Sequence, residues 1–97
     1  MKTLQLLQKN RKKIYEIANK YGVSNIRVFG SVARGEETKN SDVDLLVTLT
    51  KHRGMGLDLV RFEREVGETF KVKTDVVLED GVHRLLKNKI FDEAVLL

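Results

Sequence analysis

Leu4, Leu7, Ile14, Ala18 and Tyr21 recur at spacings of three and four or their sums, so the chain opens on an amphipathic helix predicted over Thr3 to Tyr21 and closed by Gly22. Ile26, Val28 and Phe29 then predict a short buried strand that stops at Gly30. Residues Ser31 to Asn40 are small and polar, and with glycines at 30 and 35 they read as a tight turn with room for one helical turn. Val43, Leu45, Leu46, Val47 and Leu49 follow as a run too dense for an exposed strand, so most of Asp42 to Thr50 is expected to be buried on both faces.

Lys51 to Gly56 is a basic, glycine-containing loop. After it, Leu59, Phe62, Val66 and Phe70 mark a second amphipathic helix, whose other face carries Arg61, Glu63, Arg64, Glu65 and Glu68. Val72 to Leu78 reads as a third strand and Glu79 to Gly81 as a turn. Val82, Leu86, Ile90, Ala94 and Leu97 form a final helical stripe with a break expected near Asn88. The order α, β, β, α, β, α implies an α+β fold, a small mixed or antiparallel sheet flanked by helices. There are no repeats, no proline and no low-complexity stretch, so residues 1–97 are expected to form a single domain.

Composition narrows the chemistry. A chain of 97 residues has room for one core, so any second substrate-binding domain is expected from another chain. With 41% apolar and 33% charged residues, the balance is that of a soluble globular protein. No apolar run approaches the roughly 18 to 20 residues that span a bilayer, and MKTLQLLQKNRKK lacks a signal-peptide core, so the cytoplasm is the expected location. There is no cysteine, and His52 and His83 alone cannot build a typical zinc site, so any metal is expected to be hard and oxygen-bound. The net charge of +4 gathers at Lys2, Lys9, Arg11, Lys12, Lys13 and Lys20. These fall around the polar side of the first helix and read as a solvated face, so nucleic acid is not expected as a direct substrate.

Side chains two apart on a strand share a side, so Asp42 and Asp44 project together from the start of the second strand, at the rim of the core. Two like charges so close need a positive partner or a proton. A divalent cation such as Mg²⁺ prefers carboxylate oxygen and completes its octahedron with water and substrate phosphate. Asp75 stands inside the otherwise apolar VKTDVVL, where an acid is costly without a purpose. If the second and third strands are neighbours, it lies close enough to share a metal with Asp42 or Asp44. Upstream, Gly30 lets the backbone approach a phosphate without a Cβ in the way, and Ser31 adds a hydroxyl donor.

Each piece alone has an ordinary reading as a turn, a strand end or an edge residue. Jointly, Gly-Ser, ten residues and Asp-x-Asp arise by chance in such a chain on the order of once in a thousand. The stretch GSVARGEETKNSDVDLLV resembles the signature of the DNA polymerase β-type nucleotidyltransferase superfamily, and Gly-Ser-Val-Ala-Arg-Gly-Glu resembles its minimal branch. The likeness runs from Val28 through Lys73 to Leu78 and into the final helix. It implies transfer of a nucleoside monophosphate from an NTP, ATP first among donors, with Gly30 and Ser31 at the triphosphate. It also implies Asp42, Asp44 and Asp75 as ligands of two Mg²⁺ ions, with Mn²⁺ as a substitute, and Asp75 as the acceptor of the hydroxyl's proton. Arg34 and Glu36 match the branch too, but the sequence leaves Arg34 equally suited to a phosphate or to a surface pair with Glu36 or Glu37. Lys73 beside the third acid reads first as a solvent-facing lysine.

Many members of the minimal branch are similar to antitoxins that silence a HEPN-type RNase toxin by adding AMP to a toxin tyrosine. That resemblance implies a toxin as partner and a homo- or hetero-oligomer in which the partner supplies the acceptor-binding surface. Two other readings remain open from the sequence. One is the catalytic subunit of an aminoglycoside-like small-molecule nucleotidyltransferase. The other is a non-catalytic nucleotide-binding partner that neutralises by binding alone.

Overall fold

Gly22 ends the first helical region in the left-handed conformation, with φ 68°, which glycine adopts without the steric cost of a Cβ. The region is not one helix. It divides into α1 (Thr3–Lys9) and α2 (Arg11–Tyr21) at Asn10, whose side-chain Nδ2 donates to the Leu6 carbonyl at 2.8 Å. Asparagine competes for backbone partners in this way, and apolar periodicity does not register it. The computed structural model describes residues 2–50, 57–81 and 84–97, the side chains of 84 and 85 excepted. The expected loop 51–56 with His52, and the residues Val82 and His83, lie outside the described residues.

Four strands, β1 (Val23–Phe29), β2 (Val43–Leu49), β3 (Thr74–Leu78) and β4 (Val95–Leu96), form a mixed sheet in the order β3-β2-β1-β4. β1 runs antiparallel to β2 and β4, and β2 runs parallel to β3. Parallel neighbours cannot be joined by a hairpin, and the helix α4 (Leu57–Phe70) lies in the crossover. The polar turn after β1 contains the short helix α3 (Gly30–Arg34). A 3-10 turn at Glu79–Gly81 follows β3, and α5 (Arg84–Glu93) comes after it.

The end of the chain corrects the expected helical stripe. α5 runs without a break through Asn88, and the chain then leaves the helix so that Val95 pairs with Val28 and Leu96 with Arg27. A run as short as Ala-Val-Leu-Leu satisfies either period, and the unpaired edge of β1 favours the strand.

One face of the sheet packs Ile26, Val28, Val43, Leu45 and Val47 against Leu7, Ile14, Ile17 and Ala18 of the first two helices and Phe62 and Val66 of α4. Glu65 of α4 accepts a hydrogen bond from the Tyr21 hydroxyl of α2 at 2.8 Å, tying the two helices together. Leu45, Leu46 and Val47 are all fully buried. Successive strand side chains point to opposite faces, so β2 is covered on both. The alternate set, Arg27, Phe29, Asp44, Leu46 and Thr48, therefore belongs to the second face, where α5 lies. There the Arg27 guanidinium carbon sits 5.2 Å from the centre of the Phe91 ring, and Arg27 pairs with Glu79 at 3.2 Å. Among the described residues no helix is long and apolar enough to cross a membrane.

Among the described residues Phe62 is the largest fully buried side chain. Phe62→Ala should cost about 3–5 kcal/mol, read as a lowered urea midpoint with an unchanged slope. A loss below about 1 kcal/mol would mean that α4 is not a core element.

Candidate active site

Asp44 is the second residue of β2, and the parallel register places Asp75 directly beside it, just as Val43 lies beside Thr74. Paired side chains on neighbouring strands lie about 5 Å apart. Asp42 directly precedes β2, and its Oδ2 lies 3.9 Å from the Lys73 Nζ. Lys73 thus balances charge beside the acids while staying largely in solvent. Burial first, and then the charges of Asp75 and Asp42, push the Asp44 carboxyl above its ordinary pKa, and the opposing pull of Arg34 does not offset them. The three aspartates therefore gather at one end of the second face, where Asp44 is disfavoured as an anion. Asp75 is exposed, open to an incoming group.

Gly30 explains why the turn after β1 begins with glycine. Its φ is +76°, and a Cβ added there would fall inside van der Waals contact with Asp44 Oδ2 and 3.2 Å from Asp44 Cγ. The backbone thus meets the acid at a distance that no other residue allows. Ser31 is the next residue, inside α3.

Glu93, at the last turn of α5, is a site residue that sequence reasoning missed. One of its oxygens accepts the Gly30 N–H at 3.1 Å and the other accepts Arg34 Nη1 at 2.9 Å. Burial works against this carboxylate, yet the hydrogen bonds from Arg34 and from the Gly30 N–H outweigh it and hold the carboxyl below its ordinary range. Arg34 also donates to Glu36 at 3.0 Å, so the surface pair weighed for it forms, with a second carboxylate added. Nothing in the spacing of the final segment singles out Glu93. The contact exists only because β4 folds back beside β1 and brings the end of α5 to the turn.

Among the described residues the donors at this end of the sheet are carboxylate oxygens, and two of the acids push on the third. That surplus of negative charge fits a hard divalent cation such as Mg²⁺ or Mn²⁺. Among the described residues no group of three or more histidine, cysteine, aspartate or glutamate side chains is placed so that it could hold a metal ion, so the aspartates would have to draw together around one. A cavity of about 570 Å³ opens beside Asp42, with Thr3, Val32, Asn40 and Lys71 in its wall.

A small mixed sheet with paired acids at the end of two parallel strands and a glycine turn packed on them defines a class of transferase domain. The chain belongs to the nucleotidyltransferase domain family, whose model matches residues 10–97. It is 40% identical over 85 residues to a Methanocaldococcus jannaschii protein that bears the name "Putative protein adenylyltransferase", a match covering 88% of this chain and 90% of that one. The solved "Structure of putative minimal nucleotidyltransferase" superposes with a TM-score of 0.82 at 34% identity, covering 97% of this chain and 95% of the other. A toxin-antitoxin crystal structure with AMP-PNP shares the fold at a TM-score of 0.73 and 18% identity, over 90% of this chain and 71% of that one. The chain is thus a nucleotidyltransferase with the mixed α+β fold expected of the minimal branch.

Proposed function

We propose that this chain, acting in the cytoplasm as a single-domain enzyme, transfers AMP from ATP to a tyrosine hydroxyl of a HEPN-type toxin and so acts as its antitoxin. The observation that carries the reading is the register of Asp44 beside Asp75, with Asp42 next to them and Gly30 packed on Asp44. Support for protein as acceptor and adenylyl as the group moved comes from the name of the Methanocaldococcus relative. Support for a toxin partner and an ATP-like ligand comes from the toxin-antitoxin structure of the same fold.

In this reading Gly30 and Ser31 receive the triphosphate, the Ser31 hydroxyl donating a hydrogen bond while Gly30 shapes the turn with its N–H kept on Glu93. Asp42, Asp44 and Asp75 would hold Mg²⁺, which when bound neutralises phosphate charge and makes the acceptor hydroxyl more acidic. Asp75, exposed beside the enclosed Asp44, takes the proton from the tyrosine hydroxyl. That oxygen then bonds to the α-phosphorus as the bond to the bridging oxygen breaks and pyrophosphate leaves.

The division of labour is testable at Asp75. Asp75→Asn should lower transfer by about a hundredfold or more while changing ATP affinity far less, because the triphosphate is held on the Gly30 side. ATP affinity measured with Mg²⁺ and with EDTA, together with label transfer from α-labelled ATP, reads both arms. Equal affinity with and without metal would defeat the metal-bridged site, and undiminished transfer by the variant would remove Asp75 from catalysis.

A further inference from the structure

Two carboxylates converge on Gly30 from opposite roles. Asp44 packs on the side where a Cβ would be, and Glu93 takes the N–H. The second oxygen of Glu93 holds Arg34, the last residue of the same five-residue α3. One side chain therefore fastens both ends of the turn that lies against Asp44. We infer that Glu93 is a positioning residue of the transfer site: it fixes the left-handed turn at Gly30 and the direction of Arg34, and through them the place where the triphosphate is received. The inference rests on the nucleotide reading given above.

The alternative role for an anion seated on these donors is a stand-in that the triphosphate displaces. The anchoring of Glu93 argues against it. Ala94, the next residue, still donates to Ile90 O at 3.0 Å, and Val95 and Leu96 pair with β1 two and three residues later. Leu97 N–H donates to Ile26 O at 2.9 Å, and its own carbonyl accepts the Tyr15 hydroxyl at 3.1 Å. A side chain held from both sides of its backbone, only 19% exposed, is a brace rather than a latch. Arg34 has five N–H donors in a fixed fork. Its pairs with Glu36 and Glu93 occupy Nε and Nη1, so a phosphate can be met by the remaining donors without removing Glu93.

The test compares Glu93→Ala, Glu93→Gln and Arg34→Gln, alone and as the double variant Arg34→Gln with Glu93→Ala, in the otherwise intact protein. ATP affinity with Mg²⁺, the KM for ATP and kcat, and the amide resonance of Gly30 are measured together. Glu93→Ala removes two charge-assisted hydrogen bonds and should raise Kd and KM for ATP about tenfold, with kcat changed less than threefold. Glu93→Gln keeps a carbonyl oxygen for the Gly30 N–H, so it should recover the Gly30 resonance and part of the affinity even if the alanine variant is too unstable to study. The double variant should lose less than the two single losses combined, since Glu93 acts partly through Arg34. Tighter ATP binding in either Glu93 variant would establish the displaced stand-in and overturn the brace. So would a Gly30 resonance and ATP affinity unchanged in Glu93→Gln and Glu93→Ala alike. Failure of the parent protein itself to bind ATP would instead sink the nucleotide reading, which keeps the two outcomes apart.

Discussion

Replacing Asp44 with asparagine is expected to abolish transfer while making the fold more resistant to heat. The carboxyl is pushed toward its neutral form by burial and by the charges of Asp75 and Asp42, so in metal-free buffer its charge works against the folded state. An amide of the same shape removes that repulsion, so the Tm measured with EDTA should rise above that of the parent. In the proposed mechanism the same change takes away a metal ligand and part of the electrostatic field at the phosphate, which should lower the rate by about a thousandfold or more. Melting curves with EDTA and label transfer with Mg²⁺ separate the two effects. A Tm that falls, or transfer that persists, would remove Asp44 from the role assigned to it. Stability given up in exchange for function is the pattern expected if these acids hold a metal.

Gly30→Ala should do the opposite to stability. A left-handed backbone costs an alanine about 1–2 kcal/mol, and here the new methyl also meets Asp44 Oδ2, so the loss should reach about 2–4 kcal/mol and lower Tm by about 10 °C or more. Transfer should fall as well, because Asp44 cannot keep its place. Adding Asp44→Ala to Gly30→Ala should return part of the lost stability, by clearing the contact, and none of the activity. If Gly30→Ala melts with the parent, the close approach of the turn to Asp44 is wrong.

Much of this site can be read from the chain because its parts are local. Two acids flanking Val43, a glycine at a strand end and an acid in an apolar strand each violate a local rule, and such violations are where function is expected. The dense run Leu45 to Val47 likewise announces a strand buried on both faces, as it is. What periodicity missed depends on competition or on distance. The break at Asn10 comes from a side chain capping Leu6, and β4 comes from an open sheet edge that claims an ambiguous apolar segment. The parallel pairing of β2 with β3 is set by the α4 crossover, and strand direction has no signal in a short run of residues. Glu93 is invisible for the same reason, since its partners are 59 and 63 residues away.

The central claim is that the acids move an adenylyl group onto a partner protein. The most direct measurement is the intact mass of a HEPN-type toxin co-expressed with this chain, followed by peptide mapping of the modified residue. With the parent chain, ATP and Mg²⁺, the toxin should gain the mass of one or more adenylyl groups on tyrosine and lose its RNase activity. With Asp42→Asn and Asp44→Asn together it should gain none and stay active. A toxin silenced equally by both chains, with no change in mass, would contradict the claim and make this protein an inhibitor by binding alone.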